Sequence, residues 1–178
     1  MKVTVITSSP RKKGTSALLV QEFIRGAKES GHEVFRFDAA FEKISPCTAC
    51  NSCKAASKKC FQDDSMEKLN PELLEADYIV FATPLYYFGM SAQLKLVIDR
   101  FYANNSKLKG SGKKAILLAT AADTENWTNQ ALKDHYKTIL RYQEWTDCGI
   151  LMAIGCGSRS DIEKTDFPLQ AYQLGKNL

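Results

Sequence analysis

Residues 77–83, DYIVFAT, are apolar almost without interruption. A strand with one wet face alternates polar and apolar residues, so a run that does not alternate has to be covered on both faces. That marks a central strand of a parallel sheet with helices above and below it. Residues 3–6 (VTVI), 32–38 (HEVFRFD), 113–121 (KKAILLATA) and 149–154 (GILMAI) read as further strands. Helical patterns fill the gaps. Over 15–30 the spacing of Leu19, Phe23 and Ala27 predicts a helix that Gly31 stops, and Asp64 with Glu67 forms a capping-box pattern for a second, broken at Asn70-Pro71 and restarted through Ala76. Ser91 caps a third with the stripe Leu94, Val97, Ile98 and Phe101, ending near Asn104-Asn105. A long helix over 126–145 carries Trp127, Ala131, His135, Ile139 and Tyr142 on one face, and 167–178 form the last. Strand and helix alternating in this way, with right-handed crossovers, predict a three-layer α/β/α architecture around a doubly wound five-stranded parallel sheet.

The turn out of the first strand, SSPRKKGTS, gathers hydroxyls from Thr7, Ser8, Ser9, Thr15 and Ser16, the Arg11 guanidinium and backbone N–H groups around Gly14. They meet the positive end of the first helix. A hydrogen bond to a charged group is worth roughly 1.5–3 kcal/mol, against about 0.3–1 for an exposed helix terminus, so hydroxyls and amides dominate. Neither G-x-G-x-x-G nor a Gly-Lys-Ser/Thr sequence follows the strand, which favours a terminal phosphomonoester over a pyrophosphate. An ordinary polar turn is the alternative. A second distinctive loop, PLYYFGM over 84–90, suits a ligand wall, a subunit contact or a surface turn.

With 44% hydrophobic and 25% charged residues over 178 positions, the chain is expected to be one folded domain spanning 1–178 rather than disordered. No stretch approaches the ~18 apolar residues of a membrane span, and the first apolar run is too short for a signal-peptide core, so a cytoplasmic protein without a membrane partner is expected. The net charge of +4 is spread along the chain, which argues against nucleic acid. Six cysteines in such a chain point to metal ligands or reactive thiols rather than disulfides. Cys47-x2-Cys50-x2-Cys53-x6-Cys60, in an irregular loop over 41–64, supplies the four thiolates of a [4Fe–4S] cluster, and equally of a tetrahedral zinc site or a set of free thiols. Lys54, Lys58 and Lys59 would offset thiolate charge there, or line a solvated face.

A phosphate loop after strand one and an aromatic loop after strand three follow the flavodoxin-like plan, with strand order 2-1-3-4-5 and the ligand at the carboxyl ends of the strands. On SSPRKKGTS, ISPCTACNSCKAASKKCFQDDSM, ADYIVFATPLYYFGMSAQLKLVIDR and the closing AYQLGKNL, the chain resembles the NAD(P)H-dependent FMN reductases, and more narrowly the iron-sulfur flavoproteins. The resemblance implies that Ser8, Ser9, Arg11, Thr15 and Ser16 hold the FMN phosphate and that Pro84, Leu85, Tyr86, Tyr87, Phe88 and Gly89 wrap the isoalloxazine, with Thr120, Ala121 and Asp123 on its other side. Cys47, Cys50, Cys53 and Cys60 would hold the cluster. No protein side chain need be catalytic, since the flavin carries the chemistry. With one phosphate loop and no second nucleotide domain, NAD(P)H would be a transient co-substrate, which predicts ping-pong reduction of a quinone, free flavin or nitroaromatic acceptor. The alternatives are an electron carrier between ferredoxin-like partners and a thiol or metal sensor. The resemblance also implies a homodimer or homotetramer.

Overall fold

The structure, a computed structural model, describes residues 1–55 and 59–178, and Lys58 lies outside the described residues. Five strands, β1 (Lys2–Thr7), β2 (Glu33–Asp38), β3 (Tyr78–Pro84), β4 (Lys114–Thr120) and β5 (Thr146–Ala153), pair in parallel in the order β2-β1-β3-β4-β5. This is the expected flavodoxin-like sheet. In chain order the helices are α1 (Thr15–Glu29), α2 (Met66–Glu75), α3 (Ala92–Arg100), α4 (Asn105–Leu108), α5 (Gln130–Gln143), α6 (Arg159–Ile162) and α7 (Phe167–Lys176). Among them none is long and apolar enough to cross a membrane.

β3 is buried along its whole length, as its unbroken apolar run requires. Its side chains alternate between two cores. Ile79 and Phe81 face the layer of α2, α3 and α5 with Leu69, Leu94, Val97 and Tyr136, while Val80 and Ala82 face α1 and α7 with Leu19, Phe23 and Ala171. On the second face α1 and α7 approach until backbones touch. A Cβ on Gly26 would lie 2.1 Å from the Tyr172 carbonyl oxygen, and one on Gly175 would lie 2.1 Å from that of Phe23.

Three helical expectations change. Pro71 does not break α2, which runs through it without interruption; Asn70 is no cap, its Oδ1 accepting a hydrogen bond from Asn104 Nδ2 at 3.0 Å. Asp64 makes no capping box either, since its carboxylate serves Arg100 as well as the Met66 amide. On α5 the buried stripe is Leu132, Tyr136 and Leu140, one position on from the expected face, and residues 126–129 form a separate 3-10 turn that leaves Trp127 66% exposed. Both stripes have helical spacing; the observed one puts Tyr136 edge-on to Phe81 at 6.2 Å.

Because the Gly26 and Gly175 contacts are with backbone, no rotamer change can relieve a methyl group there. Gly26→Ala is expected to destabilise the protein by about 1–3 kcal/mol, the usual cost of overpacking, read as a lower urea midpoint with an unchanged slope.

Candidate functional site

At the carboxyl edge of the sheet three loops leave β1, β3 and β4 side by side. Each starts from a hydrogen bond to its neighbour: Ser8 N to Ala82 O at 3.0 Å, Leu85 N to Thr120 O at 2.8 Å, and Ala121 N to Ala153 O at 2.8 Å. The loops are therefore set by the sheet.

In the first loop the Ser8 side chain is turned inward and its Oγ also donates to Ala82 O, at 3.0 Å. Ser9 Oγ accepts from the Arg11 amide at 3.2 Å, and Gly14 N donates to Arg11 O at 3.0 Å, so the turn closes on itself and leaves the Arg11 side chain in solvent. Gly14 N-caps α1 with no side-chain hydrogen bond. The orphan amides of that first turn are open to an anion. Thr15 Oγ1 donates to Thr120 Oγ1 at 3.0 Å, and Ser16 Oγ lies 2.8 Å from the same oxygen, so three hydroxyls from two loops converge.

In the second loop Tyr86 N donates to Gly89 O at 3.0 Å and Gly89 N to Tyr86 O at 3.1 Å. The two residues between them, Tyr87 (φ 44°) and Phe88 (φ 64°), both occupy the left-handed region, which makes a type I′ turn. Gly89, which closes the turn, is not one of the positive-φ glycines. Such positions cost bulky residues on the order of 1–3 kcal/mol, and here the result is to hold Tyr87 99% exposed. Leu85, Tyr87 and Phe88 then face Ala121, Ala122, Asp123 and Thr128 across a cleft of about 310 Å³. Trp127, which sequence spacing assigned to a helix face, instead packs its ring 5.3 Å from that of Phe88. A larger cavity of about 920 Å³ lies between α7 and the β4–β5 half of the sheet, but no Lys or Arg lines it.

Cys47, Cys50, Cys53 and Cys60 all line one recess, together with Arg100, Tyr102 and Gln62. Among the described residues, no three His, Cys, Asp or Glu side chains are gathered around a single point as one metal ion would need. Hydrogen bonds from Ser52 hold the Cys50 thiol below the usual cysteine range. Beneath the loop, Arg100 Nη1 lies 2.5 Å from Asp64 Oδ2 and also donates to Ser45 O at 2.8 Å, while Nη2 reaches Cys60 Sγ at 3.4 Å. Neither residue was legible as part of this site. Arg100 ends a helix and Asp64 resembles a cap, and nothing in their spacing links them.

The fold and the three loops define a flavodoxin-like protein with a hydroxyl-rich turn and an apolar cleft at one sheet edge. The chain belongs to the NADPH-dependent FMN reductase family, whose model matches residues 1–150. It is 39% identical over 100 residues to an iron-sulfur flavoprotein of Methanocaldococcus jannaschii, a match covering 56% of this chain and 51% of that one, so the chain spans about half that relative's length. With an iron-sulfur flavoprotein of Methanosarcina thermophila it shares 35% identity over 158 residues, covering 89% of this chain and 79% of the relative. An NAD(P)H:quinone oxidoreductase from Methanothermobacter marburgensis has the same fold, with a TM-score of 0.73, 20% identity, and coverage of 98% of this chain and 94% of that one.

Burial acts to raise the pKa of Asp64, but the Arg100 hydrogen bond and the Ser45 and Met66 amides outweigh it and hold the carboxyl below its ordinary value. A carboxyl depressed in the folded state contributes stability that is complete above its unfolded pKa, about 3.9, and is lost as pH falls through the lower folded value. Asp64→Asn, which leaves a buried guanidinium without its carboxylate, is expected to cost about 3–5 kcal/mol at pH 7. Urea unfolding across pH 7 to 3 should show the gap between wild type and variant closing at the acid end.

Proposed function

We propose that the chain is an FMN-dependent oxidoreductase that takes reducing equivalents from NAD(P)H and delivers them to a small planar acceptor such as a quinone, a free flavin or a nitroaromatic. The observation that carries this reading is the union of phosphate-binding groups and an apolar cleft at one sheet edge. Ser9, Arg11 and the open amides of α1 supply donors for a phosphomonoester, and the Thr15 and Ser16 hydroxyls, which meet at Thr120, can rotate to join them, while Leu85, Phe88 and Ala121 supply walls for a flat ring. Ser8 serves by tying the turn to β3. A cleft of about 310 Å³ is at the lower bound of the 300–1,000 Å³ usual for cofactor sites. FMN, when bound, supplies a hydride-accepting nitrogen. The protein's part is then to hold the phosphate, cover one face of the ring and leave the other open, with NAD(P)H and acceptor using that open face in turn. In this reading the chain works as a homo-oligomer, and Tyr87, 99% exposed at the mouth of the cleft, is the side chain assigned to the neighbouring subunit.

The four cysteines favour a second reading, in which the same protein also carries a [4Fe–4S] cluster and passes electrons singly. Its support is that all four thiols line one recess and that similar proteins bear the name iron-sulfur flavoprotein. A cluster takes one thiolate at each of four irons and so asks for sulfurs spread more widely than around a zinc ion.

Titration of the purified chain, followed by quenching of flavin fluorescence, should show FMN bound far more tightly than riboflavin. Thr15→Ala should weaken FMN about 10- to 100-fold, the equivalent of one lost hydrogen bond to a charged group. Equal affinity for the two flavins would remove the phosphate turn from the argument. In steady-state kinetics NAD(P)H and a quinone should give parallel double-reciprocal lines. Converging lines would demonstrate a ternary complex and exclude alternate use of one face.

A further inference from the structure

We propose that Arg100 is the positioning residue and electrostatic counter-group of the four-cysteine site, and that it raises the reduction potential of a cluster held there. The inference rests on the cluster reading above and concerns a residue outside the thiolate set. Arg100 and Lys113 are the two buried cations among the described residues. Lys113 has a complete structural explanation, since its Nζ donates to the Leu74 and Ala76 carbonyls that end α2, each at 2.7 Å.

Arg100 has no such completeness. The residue is 4% exposed, and its two terminal nitrogens divide their bonds. Nη1 goes to Asp64, to Ser45 O and, at 3.4 Å, to Gln62 Oε1; Nη2 goes to Asp64 Oδ1 and to Cys60 Sγ, both at 3.4 Å. Nε is buried with no acceptor among the described residues. The fork does reach that carboxylate, Nη1 to Oδ2 and Nη2, at longer range, to Oδ1. Nη2 divides itself between that carboxylate and the Cys60 thiol, so the guanidinium joins the ion pair to the cysteine loop, while Nε has no acceptor among the described residues.

The arrangement has a direction. Arg100 lines the recess with the four cysteines, whereas Asp64 does not, being held from behind by the Ser45 and Met66 amides at 3.0 Å each. What the thiols meet is therefore the positive end of a fixed ion pair. Asp99, the other charged group lining the recess, is itself paired with Lys95 at 2.6 Å. One-electron reduction adds a negative charge to a thiolate-bound cluster, and a fixed cation at its edge stabilises the reduced form more than the oxidised one. An N–H···S bond to a ligand sulfur acts in the same sense.

The test reconstitutes wild type, Arg100→Gln, Arg100→Lys and Asp64→Asn anaerobically with iron and sulfide. Bound iron and sulfide are then measured, and each sample is titrated with dithionite against mediators while visible bleaching and the EPR signal are followed. The midpoint should fall in Arg100→Gln, fall less in Arg100→Lys, and rise in Asp64→Asn, where a negative charge has been removed behind an unchanged cation. A loop that is merely held in place by Arg100 would lose cluster on substitution but would not move the potential in opposite directions. Midpoints of Arg100→Gln and Asp64→Asn equal to that of a loaded wild type overturn the inference and leave the cluster reading intact. If one of the two takes up no iron, the other decides, a shift in its stated direction supporting and no shift overturning. If neither loads, a cluster kept by Arg100→Lys supports the charge role, and its loss there too makes Arg100 a structural pin and overturns it. A wild type that takes up no iron and sulfide overturns both readings together.

Discussion

The candidate site depends on a staircase of backbone hydrogen bonds that continues past the ends of the strands. Ser8 is bonded to Ala82, Leu85 to Thr120, Ala121 to Ala153, and Cys156 back to Ala121. The first three steps use the same parallel offset as the strands below them, so the first residues of three separate loops inherit the geometry of the sheet rather than their own preferences. A one-residue slip of a strand buried on both faces would exchange its side chains between the two cores, each packed for its own set. The positions of Thr15, Leu85 and Ala121 relative to one another are thus as fixed as the core formed by Ile79, Phe81, Val80 and Ala82. The hydroxyls of Thr15, Ser16 and Thr120 complete the connection with side chains 104 and 105 positions apart in the chain.

How much of this was legible followed from how local each signal is. Strand order, the loop after β1 and the cap at Ser91 could be read because burial pattern and turn chemistry are written within a few residues; Ser91 Oγ does accept from Leu94 N. The α5 face was misread because two stripes share the helical period, and only the partner across the interface, Phe81, selects between Tyr136 and His135. Asn70-Pro71 misled for a different reason. The missing N–H of Pro71 costs α2 only one bond, while packing of Met66, Leu69 and Leu73 holds both halves of the helix on the sheet. The Phe88–Trp127 contact and the Arg100–Asp64 pair had no local signature, since each joins segments separated by 36 or more positions.

Where stability is given up is informative. Tyr87 and Phe88 hold positive φ although neither is a residue that favours it, and a Gly or Asn in either place would relieve the turn. Arg100 and Asp64 take an ion pair into the interior, where apolar residues would serve stability as well or better. One departure lies in the aromatic turn after β3 and the other directly beneath the cysteine loop, where Arg100 ends α3. That coincidence is what a fold shows when local rules yield to a site.

The two sites share one helix. At its start α3 is fixed beside the cleft, with Ser91 N donating to Thr83 Oγ1 at 2.9 Å and Ser91 Oγ donating to Ser8 O at 3.5 Å. At its end Arg100 grips both arms of the cysteine loop, through Ser45 on one side and Cys60 and Asp64 on the other. These anchors are nine positions apart, a span of about 13–14 Å at 1.5 Å per residue. A helix packed through Leu94 and Val97 into the core neither stretches nor swings. The separation of cleft and cysteine recess is consequently set by a rigid strut, although the sequence joins them only through an irregular loop, and any transfer between the two would occur over a distance that the fold, and not the loop, defines.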